Sequence, residues 1–395
     1  MKAGNNRRIY IDYASTTPTD KEVVKVMIPY FNSNFYNPSS LYKEAVAIKN
    51  VVSSSRKIIA EIINCRPQEI FFTASGTESC NMAILGIFKY FKNQKDFVPH
   101  IITSSIEHSA ILEACRQVEQ LGGEVTYIDP EKNGIVDVKK IQKSIKKNTV
   151  LISIMYANNE IGTIQPIKEI GRMIKLYKID SKIEPNHFPF FHTDASQAPN
   201  NLSINREPLG VDMMTLDASK IYGPKGIGLL YKKTYVNLEP IIYGGGQEEG
   251  LRSGTENVPL IVGFSKALEI CKSKLEKESK RLLDLRNYLI DGIYKSIPNS
   301  KLNGDKENRL PNNVNFCFEK INAEFAVILL DNLGIACSSA SSCQNLDDDS
   351  SSYVIEKINP KCKSSSLRFT LGRESKKSDI DYLLKILPEV VEKSK

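Results

Sequence analysis

At 395 residues the chain is longer than one hydrophobic core ordinarily serves, so two domains or one large α/β unit are expected. Its 53 basic and 46 acidic residues leave a net charge of +7 without a basic block dense enough to grip nucleic acid, and no apolar run reaches membrane-helix length. Four histidines, none at ligand spacing to a cysteine, argue against a zinc site, and eight scattered cysteines with no C-x-x-C pair fit reduced cytosolic thiols better than a disulfide framework.

Residues 1–9 are polar and basic, and Tyr10–Ala14 is too short for the apolar stretch of a signal peptide, so the expected location is cytoplasmic. Residues 9–18 read as a short strand followed by a polar turn. Ser39 or Ser40 is placed to cap a helical pattern that runs to about Ile63. From residue 70 onward the pattern alternates. Strand-like runs at Glu69–Phe72, His100–Thr103, Glu124–Ile128, Thr149–Met155, Pro189–Thr193, Asp212–Leu216 and Ile227–Tyr231 are interleaved with amphipathic segments at Glu78–Phe91, Ser109–Leu121, Val138–Ile145 and Ile167–Lys178. This alternation predicts an α/β fold, a mostly parallel central sheet with helices on both faces. A long helical pattern over Val262–Ile297 leads into a second region, where Pro311–Phe318 reads as a strand and Ala323–Asn332 as a helix.

Ligands of such sheets sit at the carboxyl ends of the strands, so the residues after each strand carry the functional reading. Gly76 and Thr77 open a helix whose free N–H groups form an anion site, or serve as a plain cap. His108 stands at a strand-to-helix junction, either as a surface cap or as a ring partner that moves protons near neutral pH. Asn159 follows the fourth strand, in a turn or as an amide donor to a ligand. Asp194 ends an apolar run, where a carboxylate needs a cation such as a protonated pyridine nitrogen, and Gln197 lies three residues on. Lys220, after the run Val211–Leu216 and before Tyr222-Gly223-Pro224, is either a solvated lysine at a hairpin turn or a partly desolvated amine with a lowered pKa that forms a Schiff base with an aldehyde cofactor. Arg252 to Thr255 form a loop suited to closing over an anion. Cys343 stands among serines before an acidic tract, whereas Cys337 reads as buried. Arg368 alternates with Leu367 and Phe369, as a substrate-carboxylate fork or a surface ion pair.

The words Thr-Glu-Ser (77–79), Glu-His (107–108), Asn-Asn-Glu-Ile-Gly (158–162), Asp-Ala-x-Gln (194–197), Lys-Ile-Tyr-Gly-Pro-Lys-Gly-Ile-Gly (220–228), Arg-Ser-Gly-Thr (252–255) and Arg-Phe-x-Leu-Gly-Arg (368–373), in this order and spacing, resemble a cysteine desulfurase of the NifS/IscS type. That family lies in the class V branch of fold-type I pyridoxal-phosphate enzymes. The resemblance implies a large cofactor domain over 16–262 and a smaller α+β domain from 1–15 and 263–395, with a mobile cysteine loop at about 334–352. It implies pyridoxal 5'-phosphate bonded to Lys220, its ring nitrogen paired with Asp194, its ring under His108 and its ring oxygen near Gln197. Gly76, Thr77, Ser219 and the partner subunit's Thr255 would hold its phosphate. Asn159 and Arg368 would hold the carboxylate of L-cysteine, and Cys343 would take the sulfur as a persulfide, releasing L-alanine.

A homodimer is implied, together with a sulfur-acceptor protein such as an Fe–S scaffold or a tRNA-thiolation enzyme, and no direct contact with nucleic acid or membrane. Selenocysteine lyase, aminotransferase and a catalytically weakened scaffold are the alternatives. One departure bears on the cofactor: the family has Ser-x-His-Lys where this chain has Asp217-Ala218-Ser219-Lys220, which sets a carboxylate where a phosphate-binding serine is expected.

Overall fold

The computed structural model describes residues 8–339 and 351–395. Seven strands form the central sheet in the order Ile70–Thr73, Gly228–Lys232, Met213–Asp217, Phe190–Asp194, Thr149–Ser153, His100–Ser104, Glu124–Ile128. Gly228–Lys232 runs antiparallel to both of its neighbours, and every other adjacent pair is parallel. The strands read as nearly continuous apolar runs because both faces are covered. On one face Phe72, Ile102, Ile152, Phe191, Met214 and Leu229 join a core with the helices Lys43–Ile63 and Ile167–Asp180. Their sequence neighbours Phe71, Ile101, Leu151, Phe190, Met213 and Leu230 point the other way, into a core with Gly76–Lys92 and Ser109–Gln120. The predicted strands and helices of this region are all present, with ends displaced by one or two residues.

The helix Val258–Ser296 belongs to two cores. Val258 to Cys271 pack on the central sheet, whereas Leu282 to Ile293 pack with Ile9, Ile11, Phe316, Phe369 and Leu387. Beside that second core lies an antiparallel sheet in the order Ser338–Ser339, Ser366–Thr370, Asn313–Cys317, Lys301–Leu302. Ile9–Tyr10 pairs in parallel with Ile335–Ala336, so the N-terminal segment is stitched into the C-terminal part of the chain. Among the described residues no helix is long and apolar enough to cross a membrane.

Two local expectations are corrected. The helix ending at Ile63 starts at Lys43 with Tyr42 as its first flanking residue, so neither Ser39 nor Ser40 caps it; Asn37 instead accepts the Ser39 N–H at 2.9 Å in a turn. Cys317 and Cys362 form a disulfide rather than standing as separate thiols. They lie 45 residues apart, and pairing of Cys317 with Ser366 across two strands is what brings residue 362 to it. No local spacing in the sequence records such a meeting.

Candidate active site

Several functional side chains double as caps where a strand gives way to a helix. Ser75 caps Gly76–Lys92 by accepting the Glu78 N–H, His108 caps Ser109–Gln120, and Asp217 caps the short turn Ala218–Lys220. Each cap holds its neighbours at a carboxyl end of the sheet. The start of the last strand must pass very close to one of them: a Cβ on Gly228 would lie 2.4 Å from the Ser75 carbonyl carbon, so only glycine fits there.

These ends surround a cavity of about 220 Å³. Lys220, Asp194, His108 and Gln197 line it, with Gly76 and Thr77 at one part of the wall and Asn159 and Arg368 at another. The Lys220 Nζ donates to the Ser15 carbonyl at 2.5 Å. Asp194 accepts both the N–H (2.9 Å) and the hydroxyl (2.6 Å) of Ser196 at Oδ1. Gln197 donates to the Ala14 carbonyl at 3.0 Å. His108 accepts the Ala110 N–H at Nδ1, 3.1 Å away. Burial lowers the pKa of this imidazole against the opposing charge of Asp194. With Nδ1 already accepting, the neutral ring carries its proton on Nε2.

Arg368 is only 2% exposed, so it is no surface ion pair. Its Nη2 donates to Asp12 (2.8 Å) and to the Ser15 hydroxyl (2.7 Å), its Nη1 donates to the Asn159 carbonyl at 3.2 Å, and its Nε is buried without a partner among the described residues. Ser219 is not on the cavity wall; its hydroxyl donates to Asp217 at 2.6 Å. Thr255 lies away from Lys220, in a separate cavity of about 190 Å³ bounded by Phe72, Gly226 and Glu248. Cys343 lies outside the described residues. The Cys337 thiol is pushed up to about 12, chiefly by burial, and is therefore protonated at neutral pH.

The first residues after residue 350 dock against this site. Ser352 donates to the buried Glu160 carboxylate at 2.5 Å, and Tyr353 donates to the Glu107 carbonyl at 2.5 Å, one residue before His108. Burial raises the Glu160 carboxyl to about 7. Sequence reading missed these residues and also Ser15, Asp12 and Ser196. Ser196 had a local signal, a hydroxyl two residues after Asp194; the others are brought in by long-range packing.

Glu107 offers a pH test. Burial raises its carboxyl to about 8, although the Ser104 hydroxyl and the Met155 N–H both donate to it, and its Oε2 has no partner among the described residues. The native state therefore keeps a proton that the unfolded chain releases above its ordinary value of about 4.5. Stability supplied by this proton falls as pH rises from there to about 8 and is then constant. Thermal melting of wild type and Glu107→Gln should diverge in favour of the glutamine protein across that window, by on the order of a few kcal/mol. A difference that does not change with pH would remove the assignment.

The cavity has the groups that an aldehyde-bearing, protonated pyridine ring with an anionic tail requires. There is an amine for the aldehyde, a carboxylate for the ring nitrogen, a flat imidazole, and the N-terminus of a 17-residue helix for the tail. The aminotransferase class-V family model matches residues 9–383. The chain is 41% identical, over 98% of its length and 95% of the relative's, to the cysteine desulfurase IscS of Dictyoglomus turgidum. A solved structure described as a NifS-like protein superposes with a TM-score of 0.88 at 31% identity, covering 98% of this chain and 99% of that one. Another, SspA in complex with cysteine, superposes with a TM-score of 0.74 at 33% identity, over 92% of this chain and 98% of that one.

Proposed function

The chain belongs to the class-V aminotransferase family as a pyridoxal-phosphate-dependent cysteine desulfurase of the IscS/NifS kind, and from that premise we propose how its own residues divide the work. The selenocysteine-lyase, aminotransferase and weakened-scaffold readings are not favoured by these relatives. The observation that carries the assignment of roles is the convergence of Lys220, Asp194 and His108 on one cavity.

When bound, pyridoxal phosphate supplies an aldehyde that bonds amines and a ring that takes up the electron pair released at the substrate's α-carbon. Lys220 would hold the aldehyde at rest. With cysteine bound, the Lys220 Nζ is the base that would carry the substrate's α-proton. Asp194, fixed by Ser196, would keep the ring nitrogen protonated. His108, neutral with its proton on Nε2, would face the ring and assist proton movement. Gln197 would contact the ring oxygen and Gly76 and Thr77 would hold the phosphate, joined by Ser219 only if its hydroxyl leaves Asp217. Arg368 and Asn159 hold the substrate carboxylate; the unspent Nε of Arg368 is a donor for it.

The thiolate of Cys343 attacks the sulfur of cysteine. The Cβ–Sγ bond breaks, its electron pair stays with the carbon and is protonated there, and the products are alanine and a Cys343 persulfide. The persulfide then passes to an acceptor protein, an Fe–S scaffold or a tRNA-thiolation enzyme. Thr255 lines a different cavity from Lys220, which fits a homodimer in which it would serve the phosphate in the partner subunit's cavity. The large domain, 16–262, would hold the cofactor, and the small domain from 1–15 and 263–395 would carry the cysteine, with the start of Val258–Ser296 still packed on the central sheet up to Cys271.

Incubation with L-cysteine, pyridoxal phosphate and a reductant should yield alanine and sulfide in equal amounts. Cys343→Ser should lose sulfide release by on the order of 10²-fold or more while its cofactor absorbance stays intact. Equal sulfide release by the two proteins would reassign the nucleophile.

A further inference from the structure

Asp217 lies three residues before Lys220 and lines the same cavity. Its Oδ2 accepts the Gly76 N–H at 2.9 Å, the first N–H of the helix Gly76–Lys92. Its Oδ1 accepts the Ser219 N–H at 2.8 Å and the Ser219 hydroxyl at 2.6 Å. Three donors, one of them at the positive end of a long helix, thus converge on a single carboxylate. Among the described residues no lysine, arginine or histidine forms an ion pair with it. The nearby cation Arg252 is engaged by Glu78 at 2.8 Å. The contact is close: a Cβ on Gly76 would lie 3.1 Å from both Cβ and Oδ2 of Asp217.

Those same donors are what the cofactor's tail needs. A phosphate monoester carries a charge of about −1.5 to −2 near neutral pH and has three strong acceptor oxygens. It meets an anion already in place, and like charges at this separation repel. We propose that Asp217 is the resident anion of the phosphate end, a residue that sets cofactor affinity because bound phosphate must displace its carboxylate from Gly76 and Ser219. The serine expected at this position would add a donor; the aspartate takes three away. The inference rests on the reading that this cavity takes pyridoxal phosphate. It adds that the unliganded protein is stabilised by an internal contact that binding has to break.

The test compares two probes on the full-length apoprotein. Pyridoxal phosphate and pyridoxal, which lacks the phosphate, are titrated against wild type, Asp217→Ser and the near-isosteric Asp217→Asn, following the absorbance of the lysine-bound aldehyde and the quenching of tyrosine fluorescence. Both variants should bind pyridoxal phosphate about tenfold tighter or more, with pyridoxal affinity unchanged. The Asp217→Ser apoprotein should also melt at a lower temperature than wild type, since it loses the contacts to Gly76 and Ser219. Tighter holding of the cofactor combined with a less stable apoprotein is a pairing that a purely structural cap does not produce. Pyridoxal phosphate affinity that is unchanged or weaker in both variants overturns the inference alone. An equal gain for pyridoxal and pyridoxal phosphate also overturns it, because the phosphate is then not the group that senses Asp217. If neither probe binds any of the three proteins, the cofactor reading fails and this inference fails with it.

Discussion

The Lys220→Ala protein is expected to lose alanine production by on the order of 10²–10⁴-fold from the missing proton transfer alone, and further from the missing hold on the aldehyde. It should also lose the absorbance of the lysine-bound cofactor. The fold should survive. Lys220 is only partly buried, ends a single short turn, and among the described residues gives one side-chain hydrogen bond, to the Ser15 carbonyl at 2.5 Å. That carbonyl keeps access to the cavity and to water. Lys220→Arg is the discriminating partner: it preserves the charge and can preserve the Ser15 bond, but its guanidinium neither bonds an aldehyde stably nor gives up a proton near neutral pH. Both variants should therefore be inactive, the arginine protein with wild-type melting behaviour. Substantial alanine formation by either would move the covalent site elsewhere, and Lys225, whose Nζ donates to the Thr17 carbonyl at 2.6 Å, would be the next amine to test.

The central sheet was legible because most of its strands are buried on both faces, which writes an apolar run, and because several are followed by polar residues that cap the next helix. Lys220, Asp194 and His108 could be named for the same reason: in an α/β sheet the carboxyl strand ends meet in space, so residues far apart in the chain share one address. What the sequence concealed comes from the other end of the chain. Nothing local to residues 9–15 announces that they pair with Ile335–Ala336 and carry the Ser15 carbonyl to Lys220 and Asp12 to Arg368. Arg368 illustrates the limit. Alternation on its strand correctly set it opposite Leu367 and Phe369, but alternation does not distinguish water from a second buried layer, and here the opposite side is the cavity wall. Glu107 and Glu160 were similarly hidden, since a carboxylate in a polar motif gives no sign that packing will bury it. The Cys317–Cys362 disulfide depends on strand pairing, which residue spacing does not encode.

Arg368→Ala is expected to fail in two separable ways. Its guanidinium is the cation for Asp12, whose side chain is 18% exposed, and removing one partner of a buried pair leaves an uncompensated charge. The cost should be about 3–5 kcal/mol of unfolding free energy, read by denaturant titration. The same guanidinium, through the Nε that no described residue uses, is the proposed grip on the carboxylate of cysteine, so KM should rise by roughly ten- to a hundred-fold, the equivalent of a charged hydrogen bond.

Arg368→Ala combined with Asp12→Asn separates the two losses. With no carboxylate left unpaired, the double variant should regain much of the stability, and the residues' direct contact predicts a coupling of about 0.5–3 kcal/mol. Its KM for cysteine should stay as high as in Arg368→Ala, since nothing has restored a cation for the substrate. Recovery of KM together with stability would mean that Arg368 acts only by bracing Asp12 and the N-terminal segment. Ser15, whose hydroxyl accepts from Arg368 and whose carbonyl accepts from Lys220, would then be the link through which that bracing reaches the catalytic amine.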